Sequence, residues 1–144
     1  MLLGSLDDEY LLLKVLRRSH PDTTDYWDGN WLNVQIKVSV GGFSADFPAQ
    51  IRIDELAGFA RELARLYDTL TGEAEFLTME SWLAIRIAGD GMGHLKAHCV
   101  AKDDPGFPNE LRFSIDFDQT FLPQVLRSLQ QIQAMYPLLG RPDA

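Results

Sequence analysis

Three histidines, one cysteine and 21 acidic side chains are the groups in this chain that could ligate a metal, attack a carbonyl or move a proton. His94 and His98 are four apart, which on a helix would set two imidazoles on one face at metal-ligand spacing. Their segment, however, alternates as a strand, and four strand residues span roughly 13 Å, too far for two imidazoles to share one ion. His20 lies far off in a Pro-Asp loop, so neither a metal nor another cofactor is expected. Cys99 falls in the apolar set with Leu95, Ala97 and Ala101 and reads as a small core residue, not a nucleophile. No serine sits in a Gly-x-Ser-x-Gly elbow, and no carboxylate pair is singled out among the acids. Gly89-Asp90-Gly91-Met92-Gly93 resembles a phosphate loop only superficially, because such loops open a helix and a strand follows here. No catalytic residue is assigned, and the protein is expected not to be an enzyme.

The densest cluster of recognition-type side chains is Asp25-Tyr26-Trp27-Asp28-Gly29-Asn30-Trp31-Leu32. Read structurally, Asp28-Gly29-Asn30 makes a turn and the tryptophans cover a sheet edge. Read functionally, Asp25, Tyr26, Trp27, Asp28 and Trp31 form a partner-binding patch, since Trp and Tyr are enriched in binding hot spots and flanking acids suit a basic partner.

These residues must be positioned by a chain of 144 residues, which sets an expectation of one domain, 1–144, with 138–144 a loose tail. Apolar residues are 46% and charged residues 24%, a globular composition. Thirteen Lys+Arg against 21 Asp+Glu leave a formal charge of −8. That balance argues against nucleic acid and anionic membrane as partners. One cysteine cannot form an internal disulfide, and the N-terminus lacks the basic start and long apolar run of a signal peptide, so a cytoplasmic location is expected. Whether the chain forms a homo-oligomer is not legible.

Period-two alternation is the clearest pattern. Leu32, Val34, Ile36, Val38 and Val40 share one face. After a turn at Gly41-Gly42, Phe43, Ala45, Phe47, Ala49, Ile51 and Ile53 resume it against Ser44, Asp46, Pro48, Gln50 and Arg52. Pro48 suggests an edge or a bulge. The period then becomes helical through Leu56, Phe59, Ala60, Leu63, Leu66, Tyr67 and Leu70, with Asp54 a candidate N-cap and Gly72 the stop. Strands are predicted near 73–79, 81–88, 94–101 and 111–117, with 103–109 a loop. A last helix carries Phe121, Leu122, Val125, Leu126, Leu129, Ile132 and Tyr136, with Thr120 as cap, Pro123 in the first turn and Pro137 beyond the end. Residues 10–16, apolar on both sides, read as a strand, with an early helix the alternative. The predicted order is β-β-β-α-β-β-β-β-α. It corresponds to an α+β fold with one antiparallel sheet of about six to seven strands and both helices on one face. Both helices follow an alternating strand and an acidic turn, a hint of two-fold internal repetition.

The cluster at 25–32, with Leu66-Tyr67, Leu70-Thr71-Gly72-Glu73-Ala74, Glu80, Gly93-His94 and Phe117-Asp118-Gln119-Thr120-Phe121-Leu122, resembles the WapI-like immunity protein family over roughly residues 25–137. The resemblance implies a small cytoplasmic bacterial protein that binds and neutralises a toxin domain, often a nuclease. It transfers no active-site residue and does not identify the toxin. An acidic chain fits inhibition of a basic enzyme. The competing expectation is a small ligand-binding domain or enzyme with a pocket between sheet and helices, lined in part by Trp82, Phe113 or Tyr67. A structural or regulatory adaptor is a third.

Overall fold

The structure, a computed structural model, describes residues 1–107 and 109–143. Pro108 of the expected loop, and Ala144 of the expected tail and domain range, lie outside the described residues. The elements are β1 (Leu2–Gly4), β2 (Tyr10–Arg18), α1 (Tyr26–Gly29), β3 (Trp31–Val40), β4 (Phe43–Arg52), α2 (Ile53–Thr69), β5 (Thr71–Leu77), β6 (Leu83–Asp90), β7 (His94–Lys102), β8 (Glu110–Asp118), a 3-10 turn (Gln119–Phe121) and α3 (Leu122–Met135). The fold is α+β, but the expected single sheet is replaced by two antiparallel sheets of four strands each, ordered β1-β2-β3-β4 and β5-β6-β7-β8. Alternation reports that each strand has one wet face; it does not report which strands exchange hydrogen bonds. Two sheets contributing to one core and one sheet backed by helices write the same pattern. The hint of repetition is borne out in element order, because each half runs through four strands into a long helix, with α1 inserted in the first.

β1 is the strand the sequence did not signal, since three residues are too few to display a period. Residues 10–16 belong to β2, which pairs antiparallel with both β1 and β3. β3 and β4 form the expected hairpin, with Gln35 opposite Pro48. β4 is an edge strand, where a residue without an N–H removes no ladder bond.

The inward faces of both sheets and the apolar stripes of α2 and α3 join in one buried cluster that includes Leu13, Ile36, Ile51, Phe59, Leu63, Ile85, Ile115, Leu122 and Leu129. Phe59 of α2 meets Phe76 of β5 at 5.6 Å between ring centroids, and Phe47 of the first sheet stacks with Trp82 at 6.4 Å. At the β1 to β8 contact, Gly4 (φ +86°) leaves no space for a side chain: a Cβ there would fall 2.1 Å from the Glu9 carbonyl oxygen and 3.2 Å from Ile115. Phe43 departs from the predicted apolar face and is exposed, at the mouth of the Gly41-Gly42 hairpin. Phe113 is only partly buried.

The helix ends also differ in detail. Arg52, not Asp54, occupies the N-cap of α2, and its N–H donates to the Glu55 carboxylate at 2.6 Å. Glu55 also accepts the Met79 N–H, tying the start of α2 to the loop before β6. Burial pushes the Glu55 carboxyl above its ordinary value, against those two hydrogen bonds, which act the other way. α2 stops at Leu70 in the left-handed region (φ 59°), two residues before Gly72. The Leu70 carbonyl accepts the Gly91 N–H at 2.9 Å, which holds that conformation from outside the helix. Before α3, the cap is Asp118 and not Thr120: its carboxylate accepts the Thr120 N–H at 2.8 Å and the Thr120 hydroxyl at 2.5 Å. Those bonds hold the Asp118 carboxyl below its ordinary value.

Candidate functional site

Asp25 begins the site. Its backbone is extended (φ −77°, ψ 162°), so its carboxylate turns back to accept the Asp28 N–H at 3.1 Å, while its carbonyl accepts the Gly29 N–H at 3.0 Å. One helical turn, α1, results where a turn was expected. Asn30 closes it. Fully buried, Asn30 donates from Nδ2 to the carbonyls of Tyr26 at 2.8 Å and Leu139 at 2.9 Å, and its Oδ1 accepts the Leu139 N–H at 2.9 Å. A buried amide so saturated is stabilising only while every partner stays in place.

Beneath α1 lies the residue that organises the cluster. Alternation puts Arg52 on the polar face of β4, yet its side chain is 1% exposed. Its Nε donates to Asp54 at 2.9 Å, Nη1 to the Trp27 carbonyl at 2.6 Å and Nη2 to the Tyr26 carbonyl at 2.9 Å. The guanidinium carbon lies 5.0 Å from the ring centroid of Tyr26 and 5.3 Å from those of Trp27 and Trp31. A planar cation with five donors can satisfy a carboxylate, two carbonyls and three ring faces at once; an ammonium cannot. Its burial has a local cause: Arg52 is the last residue of β4, opposite Trp31, and there the chain turns into α2 beneath α1. One signal could have located it, since a two-residue turn at Gly41-Gly42 puts Arg52 in register with Trp31.

Of the five expected residues, Tyr26, Trp27 and Trp31 gather around Arg52, while Asp25 and Asp28 lie on the turn of α1 above it. Tyr26 and Trp31 are half-buried; Asp25, Trp27 and Asp28 are exposed, Trp27 by 52%. Tyr26 meets Trp27 edge to face at 4.9 Å, and its hydroxyl reaches Asp54 at 3.4 Å. Exposed Asp22 adds a third carboxylate on the same loop. Missed were Arg52, Asp54 and Asn30, together with Arg18, whose Nη1 donates to the Gly29 carbonyl at 2.8 Å and Nη2 to the Pro137 carbonyl at 2.6 Å.

The other candidate groups are separate from this cluster. His94 and His98 are exposed on β7, with His98 Nδ1 3.3 Å from Ser114 Oγ, and Cys99 points inward. Burial pushes the Cys99 thiol up to about 12. Among the described residues, no three His, Cys, Asp or Glu side chains gather to hold a metal ion. No helix among them is long and apolar enough to cross a membrane. Phe113 borders a 560 Å³ depression on the outer face of the second sheet, Trp82 stacks on Phe47, and Tyr67 is exposed on α2. Two arginines bordering that depression already hold carboxylates, Arg86 with Glu73 at 2.8 Å and Arg112 with Glu110 at 2.6 Å.

The family model described as the immunity protein WapI-like family matches residues 1–137. No curated protein matches the chain. Among solved structures, one titled "Crystal structures of trypanosoma bruciei MRP1/MRP2" is similar at 11% identity, covering 95% of this chain and 84% of that chain with a TM-score of 0.48.

Proposed function

The chain belongs to the WapI-like immunity protein family, and from that premise we propose that it is a non-enzymatic protein of the bacterial cytoplasm that binds and neutralises a toxin domain. The reading takes residues 1–144 as one binding unit, acting by stoichiometric contact without a cofactor, a nucleic acid or a membrane. The toxin is a basic domain, and Asp25, Tyr26, Trp27, Asp28 and Trp31 contact it.

One observation carries this reading. Trp27 is half exposed on a backbone already fixed from below by Arg52, and Asp25 and Asp28 flank it. A large aromatic ring held in one place before binding loses little entropy when it docks. Neighbouring carboxylates attract a cationic enzyme whose own substrate is anionic. The family premise supports a binding role over a catalytic one.

The test pairs stability with kinetics. The product of the adjacent gene is first assayed for toxicity without this protein, then for binding to it. Trp27→Ala is expected to raise the dissociation rate and cost at least about 2 kcal/mol of binding, with little change in melting temperature. Normal binding by a destabilised Trp27→Ala would remove the patch from the interface.

A further inference from the structure

The family match ends at residue 137, and just beyond it the chain folds back onto the candidate site. Leu139 exchanges two backbone hydrogen bonds with the Asn30 side chain, both at 2.9 Å. Its side chain lies where a Cβ on Gly29 would meet it at 3.1 Å. Gly140 sits at φ +65°, and a Cβ there would fall 2.8 Å from the Tyr26 nitrogen, so the seat excludes any larger residue twice over. Arg18 bridges the two segments by donating to the carbonyls of both Gly29 and Pro137. Within this frame Leu138 is left 51% exposed, next in sequence to the residue that Asn30 clasps.

We infer that residues 138–140 are a working part of the partner-binding surface and supply, through Leu138, an apolar contact lying outside the span shared with the family. The inference rests on the reading of the α1 cluster as a toxin-binding patch. Three facts fit together. Leu138 and Trp27 are both half-exposed apolar side chains, on segments fastened to each other by Asn30 and Arg18. The acids of the patch, Asp22, Asp25 and Asp28, are exposed on the loop and helix that the segment rests on. Exposed apolar side chains held rigid before contact, with carboxylates on the same scaffold, suit an interface in which a few residues carry most of the binding energy. The occupant is therefore a basic protein domain with an apolar recess for Leu138 as well as one for Trp27. A short segment beyond the shared span can change its contacts without disturbing the strands and helices beneath it, so it is suited to distinguishing one toxin from another.

The experiment uses the full chain with the product of the adjacent gene as probe, and compares Leu138→Asp, Gly140→Val and Trp27→Ala. Leu138→Asp is expected to raise the dissociation rate about tenfold or more, with an unchanged melting temperature. Gly140→Val is expected to weaken binding similarly and to accelerate hydrogen exchange at 26–30 while the second sheet keeps its protection. Wild-type affinity in Leu138→Asp, with weakened binding in Trp27→Ala, overturns the inference and leaves the patch reading intact. Failure of the wild-type protein to bind the probe overturns the reading and this inference with it.

Discussion

Arg52 shows how much of a site can hang on one side chain. Its removal leaves the Trp27 carbonyl without its donor, takes one of two donors from the Tyr26 carbonyl and from the Asp54 carboxylate, and leaves three aromatic rings without the cation they face. Arg52→Met is therefore expected to cost about 3 kcal/mol, measured by urea unfolding, because orphaned buried partners lose more than the intact interaction contributes. Arg52→Lys restores the charge but not the fork, and should recover only part of that loss. Cys99 supports a second prediction at this scale. Buried on the inward face of β7, with its thiol pushed up to about 12, it should resist alkylation at pH 8 in the folded protein. Its labelling rate should follow global unfolding across a denaturant series; rapid labelling without denaturant would mean that β7 opens locally.

At the scale of elements, the two faces of each strand are energetically distinct. Ile36→Ala, deleting atoms from a fully buried site on β3, should cost about 2–5 kcal/mol, and Gln35→Ala on the outer face well under 1 kcal/mol. Phe113→Ala should lie between them, since Phe113 is only half-buried at the border of the outer depression. The start of α2 adds a pH dependence. Glu55 has its carboxyl raised by burial, so between its ordinary and its raised value the folded state binds more protons than the unfolded state. Stability attributable to Glu55 therefore falls as pH rises through that window and stays lower above it. Glu55→Gln cannot titrate there, so its stability relative to wild type should improve on going from pH 4 to pH 7, as measured by urea unfolding at each pH. A constant difference would mean that the carboxyl titrates no differently when folded.

At the scale of the whole molecule, the charge of −8 is not uniformly spread. On the outer face of the second sheet, Arg86, Lys96 and Arg112 are matched by Glu73, Asp116 and Glu110 in ion pairs. Carboxylates outside those pairs are exposed on loops and on α1, among them Asp7, Asp8, Asp22, Asp25, Asp28, Asp103 and Asp104. If a basic toxin is the partner, this field acts during approach. Raising the ionic strength should slow association much more than it speeds dissociation, because exposed charges are screened beyond about 8 Å at physiological salt while docked apolar contacts are not. Stopped-flow association across a salt series checks this, and a dissociation rate that carries most of the salt effect would place ion pairs at the centre of the interface.

What the sequence by itself determined is the set of one-sided elements and their order. Leu32 through Ile53 alternate around a two-residue turn, and the stripes of α2 and α3 repeat at helical spacing, because period and turn chemistry are local properties of the chain. The aromatic cluster at 26–31 was equally visible as composition. Only the tertiary structure decided that the strands divide into two sheets, since hydrogen-bond partnership between distant strands leaves no mark on alternation. It also decided the centre of the candidate site. An arginine at a polar position of β4 becomes buried because α1 closes over it, and an asparagine in a turn becomes a clasp because Leu139 returns to it across 109 residues. Burial and pairing of polar groups depend on what the rest of the chain brings to them, and that information is not local.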